Sequence, residues 1–243
     1  MMTILRFNWP LYLAAALVLL ASTTGSFMTL SVALKLACGA AAACSTYFIF
    51  ISLGVSHLIY DRSDLYRWRW MERAFQGMTP QHIVFCHAGF DEASQILKDK
   101  LPPADWRVLD HFDPHHMSEP SILRARRLFP PTPETVASPY DRWPVESGSM
   151  DAVIALLAIH EFRSEAERTA WFGEARRCLK SGGRIILAEH VRDFANFAAF
   201  GPGFFHFHTR TNWRRCWEEA GLQASDEFRI TPWVRVFIII PPC

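Results

Sequence analysis

His160-Glu161 and Glu189-His190 each set an imidazole beside a carboxylate directly after a short apolar run. Such a group can take the proton from a phenol or an amine as an electrophile arrives, which is general base chemistry. Arg192 lies two residues beyond His190 and adds a cation that can contact a proton-losing acceptor. His160, Glu161, His190 and Arg192 are therefore the candidate catalytic set. The stretch "HFDPHH" adds Asp113 and three histidines, of which His115 and His116 read as solvated loop residues. In "FFHFHTR", His206 and His208 alternate with Phe as in a strand or extended lid, which would wall an apolar pocket or pack under a sheet edge. Imidazoles and carboxylates suit several divalent ions. No spacing here is diagnostic of a metal, however, so no metal ligand is assigned.

These groups need elements to hold them. From residue 82 onward the chain alternates short apolar runs with amphipathic stretches. The runs predict strands over His82–His87, Trp106–Phe112, Asp151–Leu157, Arg184–His190 and Val234–Ile240, with a short strand near Val136. Helical periodicity covers Asp91–Leu101, Glu119–Phe129, Ser164–Leu179 and Thr211–Ala220. This order implies βαβ units and a mostly parallel, Rossmann-like sheet with helices on both faces. In "LKSGGR", Gly182 and Gly183 stop a helix before the next strand. Ligands of such open α/β sheets bind beyond the carboxyl ends of the strands. His87–Asp91, Asp113–His116, His160-Glu161 and Glu189–Asp193 all fall at those ends.

Residues 1–60 are a different material, with no Asp or Glu and only Arg6 and Lys35 as strong bases. "WPLYLAAALVLLASTTGSFM" and "TLSVALKLACGAAAACSTYFIFISLGVSHLIY" are long and apolar enough to span a bilayer. They predict a two-helix transmembrane hairpin over 1–60, turning at an "STTGS"-like segment. In "YDRSDLYRWRWMER", Arg residues are interleaved with Tyr and Trp, which predicts a juxtamembrane amphipathic helix over 61–80. Basic residues flanking a span favour the cytoplasmic side, and Tyr and Trp favour headgroups, although these aromatics also suit the buried face of an ordinary helix. The α/β domain over 81–243 is thus expected to face the cytoplasm from the inner membrane, with both termini on that side. A net charge of +1 gives no argument for nucleic acid. Six cysteines without a CxxC pair point to reduced thiols.

Three ordered stretches, "VLDHFDPHHMSEPSILRARRLF", "SGSMDAVIALLAIHEF" and "FGEARRCLKSGGRIILAEHVRD", resemble the class I S-adenosylmethionine-dependent methyltransferases over about residues 60–240. The resemblance implies S-adenosylmethionine as cofactor. It also implies that His87, Ala88, Gly89, Phe90, Asp91, Asp113, Pro114, Leu156 and Leu157 contact it, with Asp113 on the ribose hydroxyls. The first loop departs from the family's Asp/Glu-x-Gly-x-Gly-x-Gly: Phe85 replaces the acid, His87 and Asp91 replace two glycines, and Gly89 alone remains. "AGFDEAS" with "HE" and "EHxRDxANF" is similar to a smaller bacterial subgroup, so the loop reads as a specialised variant with Gly89 supplying close backbone approach to the ligand. Asp91, Glu92 and Ser94 are suited to cap the helix that follows.

Together these features predict a membrane-anchored methyltransferase that acts on a lipophilic small molecule, such as a quinone, a phenol or a lipid. A membrane-protein partner is compatible with the hairpin. Two other readings stay open: an inactive methyltransferase-like assembly subunit, and an enzyme that uses S-adenosylmethionine for other chemistry.

Overall fold

The apolar runs pair into one seven-stranded sheet of order β3-β2-β1-β4-β5-β7-β6 in a computed structural model that describes residues 2–28, 31–101 and 104–242. The strands are β1 His82–His87, β2 Asp105–Asp110, β3 Thr135–Ala137, β4 Met150–Leu156, β5 Leu179–His190, β6 Gln223–Thr231 and β7 Val234–Ile240. β3, β2, β1, β4 and β5 run parallel, and β7 is antiparallel to both β5 and β6. The helices are α1 Met2–Ser26, α2 Val32–Ser56, α3 Trp70–Phe75, α4 Ser94–Lys100, α5 Pro120–Leu128, α6 Glu165–Cys178, α7 Phe194–Phe200 and α8 Arg210–Glu219.

Both sheet faces are covered. Val84, Cys86, Val153, Ile185 and Phe237 point into one cluster with Trp171 and Phe172 of α6 and Trp213 of α8. Ile83, Phe85, Ile154, Ile186 and Ile238 point into the other with Leu65, Trp68, Trp70 and Phe75. Alternate residues of each strand thus serve opposite cores, which is why the strands are apolar almost throughout. At the opposite end of the sheet from the site, Asp151 accepts from Gln81 N–H at 2.8 Å, His82 N–H at 2.9 Å and Lys180 Nζ at 2.8 Å. That carboxylate ties the start of β1 to β4.

Several expectations are corrected. β6 was not expected, because this edge strand is partly exposed and polar, without an apolar run. α7 was not expected either: it is only seven residues long, and Asp193 caps it by accepting from Asn196 N–H at 3.0 Å. The glycines of "LKSGGR" do not stop the helix, since α6 ends at Cys178 and β5 begins at Leu179. They lie instead in a register shift between the Met150–Leu179 and Ala152–Arg184 pairs, where Gly182 takes a positive φ of 80°. "FFHFHTR" is not a continuous strand: Gly201–His206 is a 3-10 helix, and a single parallel bridge joins His208 to Val191.

At the N-terminal side, α1 and α2 pack against each other, with Tyr12 Oη 3.0 Å from Ser52 Oγ. "STTGS" forms the last turns of α1, not the hairpin turn. The Thr23, Thr24 and Ser26 hydroxyls donate to the carbonyls four residues back at 2.7, 2.9 and 2.9 Å, which lets polar residues continue a helix. Both helices are long and apolar enough to cross a membrane, and Leu11, Leu17, Leu20, Leu36 and Phe50 are exposed along them. The single amphipathic helix expected over 61–80 is replaced by a π-helical turn ending at Arg62, an irregular stretch and the six-residue α3. Trp68 and Trp70 are buried against the sheet, so the aromatics of this stretch serve the core. Among the described residues, the five cysteines are free; Cys243 lies outside them.

Candidate active site

The carboxyl ends of β1, β4 and β5 open onto a cavity of about 920 Å³. Ala88, Phe90 and Glu92 of the loop after β1 line it, with Leu156, Leu157, Ala158, His160 and Glu161 after β4 and His190 at the end of β5. The far wall comes from the hairpin: Phe7, Leu11 and Tyr12 of α1 and Phe48 and Ser52 of α2. α1 is held there by Arg124, whose Nε donates to Phe7 O at 2.7 Å, and by the Phe7 ring edge-on to Phe90 at 5.1 Å. α2 is held by Tyr47, whose hydroxyl donates to Ala198 O at 2.6 Å. The hairpin and the α/β domain thus build one cavity jointly.

Glu189, fully buried at the end of β5, organises the rim. Its Oε1 accepts from the backbone N–H groups of Ala158, Ile159 and His160 at 3.0, 2.8 and 3.3 Å, which fixes the turn after β4. Its Oε2 lies 2.7 Å from His160 Nδ1. A carboxylate only accepts, so Nδ1 carries a proton. Nε2 faces Glu161 Oε1 at 3.6 Å. Leu157, next along, adopts a positive φ of 49° and donates its N–H to Ala188 O at 2.8 Å. Strain in a non-glycine residue at a strand end is a recurrent mark of a functional site.

His190 Nδ1 bonds the Trp233 carbonyl at 2.9 Å, so its Nε2 accepts from the Tyr60 hydroxyl at 3.2 Å. Burial pushes His190 down to about 4, and the ring stays neutral. Burial lowers His206 as well, but hydrogen bonds to Glu119 and Glu161 overcome that and lift it to about 9. Burial of Glu92 raises its carboxyl to about 7 despite a hydrogen bond from the Tyr66 hydroxyl.

The structure separates the sequence-derived candidates. His160, Glu161 and His190 come together on the cavity, as do Ala88, Phe90, Leu156 and Leu157. Arg192 does not: its guanidinium donates to the carbonyls of Phe207 at 2.7 Å and Phe205 at 2.5 Å and so braces the 3-10 segment. Asp91 caps α4 by accepting from Ala93 and Ser94 N–H at 3.1 and 2.9 Å. Asp113 and Pro114 lie in a turn outside the cavity lining, where Asp113 accepts from His115 N–H at 2.8 Å and bonds His116 Nδ1 at 2.9 Å. The buried carboxylate at the end of β2 is Asp110, which accepts from Gly89 N–H at 2.9 Å, from Phe112 N–H at 3.0 Å and from Arg126. Glu92 was expected only to cap α4 and His206 to wall a pocket or pack under a sheet edge, while Tyr60 and Glu119 were given no place in the site; three of the four lie away from strand ends.

Gly89 has a positive φ of 89°, and a Cβ there would sit 2.7 Å from Phe112 Cδ2. The close approach that a Cβ would block here is to the Phe112 ring. Gly89→Ala should therefore destabilise the whole chain, by about 1–2 kcal/mol from the backbone alone, with the Phe112 clash added. Urea denaturation in detergent would measure it, and an unchanged midpoint would remove this role.

Residues 115–187 match the family described as "Methyltransferase domain". That stretch is similar to a methyltransferase domain, and the sheet around it has the fold of solved S-adenosylmethionine-dependent methyltransferases. Solved structures with the same fold include a protein from Pyrococcus horikoshii OT3, at 17% identity over 76% of this chain and 96% of that one, with a TM-score of 0.53. An S-adenosylmethionine-dependent methyltransferase from Clostridium acetobutylicum aligns at 9% identity over 82% and 98%, with a TM-score of 0.53. A complex of a Haloferax volcanii methyltransferase with the Trm112 methyltransferase activator supplies a third, at 15% identity over 72% and 90%, with a TM-score of 0.52. No curated protein matches the chain in sequence.

Residues at the ends of β1 and β2 fit the cofactor that such a domain would take. Both ring nitrogens of His87 and Nε2 of His111 are buried without partners beside Asp110 at the ends of β1 and β2. His111 Nδ1 bonds the Ser138 carbonyl at 2.9 Å, so Nε2 is an unused acceptor. Buried polar atoms left unpaired mark a place where a polar ligand completes the network, and hydroxyls of a nucleoside suit an acceptor nitrogen.

Proposed function

We propose that the chain is a membrane-anchored methyltransferase that moves the methyl group of S-adenosylmethionine to a lipophilic acceptor. The cavity carries this reading, because hairpin residues Phe7, Leu11, Tyr12 and Phe48 form one wall and the strand ends form the other. An acceptor dissolved in the bilayer would enter between α1 and α2 and meet the strand rim without crossing water. Phe194, Phe197 and Phe205, exposed on α7 and the 3-10 segment, extend the apolar surface from the helices onto the domain. Aromatic side chains at that level suit the membrane interface.

In the mechanism, S-adenosylmethionine bound along Ala88, Phe90, Leu156 and Leu157 supplies an electrophilic methyl group. The protein contributes proximity and alignment, holding an acceptor oxygen or nitrogen within the shared cavity. Glu92, with its carboxyl near 7, takes the acceptor's proton. Tyr60 orients through its hydroxyl on His190. The Haloferax volcanii relative is bound to an activator protein, and a protein partner for this chain belongs to the same proposal.

The test uses full-length protein in liposomes that contain a membrane-lipid extract, with methyl-labelled S-adenosylmethionine. Label should pass into the organic phase. Leu11→Trp, which fills the hairpin side of the cavity, should reduce that transfer at least tenfold while cofactor affinity stays within about twofold. Label found only in water-soluble products, or full transfer by Leu11→Trp, would defeat the lipophilic reading. Orientation has its own check: a reporter fused after Ser26 should lie across the membrane from one fused at the C-terminus, and both on one side would end the spanning hairpin.

A further inference from the structure

His160, Glu161 and His206 come from two segments 45 residues apart, yet their donor atoms all lie within 4.8 Å of one another. Two imidazoles and a carboxylate form a familiar ligand set for a borderline divalent ion. The separations suit it. His160 Nε2 lies 3.6 Å and His206 Nε2 3.5 Å from the same oxygen, Glu161 Oε1. Ligands about 2.0–2.2 Å from a tetrahedral ion stand about 3.3–3.6 Å apart.

A second observation points the same way. Metal-bound histidines are normally oriented by an acceptor on their other ring nitrogen. Here both have one: Glu189 Oε2 lies 2.7 Å from His160 Nδ1, and Glu119 Oε1 lies 3.3 Å from His206 Nδ1. Each outer carboxylate turns the Nε2 of its imidazole toward Glu161. Arg163 also approaches, donating to His206 O at 2.6 Å with Nδ1 at 3.3 Å. Three carboxylates, Glu119, Glu161 and Glu189, thus surround the two imidazoles.

We propose that His160, Glu161 and His206 bind one borderline divalent cation, such as zinc, at the wall of the cavity, with Glu119 and Glu189 as positioning residues. All three ligands line the cavity, so the ion's fourth position opens onto it and is available to an oxygen ligand. On the acceptor reading above, that oxygen would be a hydroxyl whose acidity the ion raises. The site itself does not depend on that reading.

Full-length protein without a histidine tag, stripped with chelator in detergent, is titrated with Co2+ and then with Zn2+. We expect one visible-absorbing Co2+ per chain, displaced by one Zn2+. His160→Ala and His206→Ala should each weaken binding at least 100-fold, and Glu189→Gln or Glu119→Gln by about 10–100-fold. No stoichiometric spectrum, or an unchanged one in the histidine variants, would overturn the site. Should His160→Ala fail to fold, His206→Gln decides alone, because its 3-10 segment contributes no fully buried residue. Cofactor binding is measured on the same samples, so an absent metal and an absent methyl donor are told apart.

Discussion

Glu189→Ala should cost the chain at least about 3 kcal/mol of stability. The carboxylate is fully buried and accepts from three consecutive backbone N–H groups and from His160. Removing it strands those donors where water does not reach, at about 1–3 kcal/mol for each buried group left unsatisfied. Glu189→Gln separates the two duties of the residue. Its amide oxygen can still receive the Ala158, Ile159 and His160 N–H groups, so most stability should return. Its NH2 group, however, now meets the Nδ1–H of His160, donor against donor, and the imidazole must change tautomer or turn. The presentation of Nε2 toward Glu161 then changes. Equilibrium unfolding in urea should place Gln near the native chain and Ala far below it. Equal stability for all three would mean that Glu189 does not hold the rim.

This residue also shows what the sequence could carry. Glu189 and His190 were visible as polar groups ending an apolar strand, because a parallel sheet buried on both faces leaves polarity only at its ends. β1 and β7 were legible to the residue for the same reason. What escaped was partnership. Glu189 reaches across to His160, 29 positions away, and nothing in either stretch encodes that pairing. His206 looked like part of a strand or extended lid, until a 3-10 turn brought it beside Glu161. The misassignment of Asp113 has a simple origin: "DHFDP" offers two acids three residues apart. β2 ends at the first of them, so Asp110 is the buried one and Asp113 falls into the turn. Arg192 failed differently, since its charge was real but was spent on two backbone carbonyls. The hairpin was legible from its lack of acids, whereas its role as a cavity wall was not, because that depends on Phe7 and Tyr47 docking onto the distant α/β domain.

The other large effect concerns Glu92, where stability and activity should move in opposite directions. Burial holds this carboxyl at about 7, up from 4.5. Because the folded value is above the unfolded one, the stability of the protonated form is fully present below pH 4.5. It declines as the unfolded chain ionises and is gone above about 7. The shift corresponds to roughly 3 kcal/mol lost between those limits. Glu92→Gln keeps the shape, can still accept from Tyr66, and carries no charge to desolvate. The variant should match the native chain near pH 4.5 and exceed it by about 3 kcal/mol at pH 8 in urea unfolding. Methyl transfer should fall by about 10²–10⁴-fold, the usual contribution of a positioned base, and the native rise in rate through pH 7 should flatten. A less stable variant at pH 8 would show that ionised Glu92 is well paired in the fold. A more stable variant with full activity and an unchanged pH profile would leave Glu92 as an uncompensated buried acid and move the proton acceptor elsewhere in the cavity. Only gain of stability with loss of turnover fits a carboxyl kept at a cost because the reaction needs it, the trade expected where an active site is built against the fold's own preference.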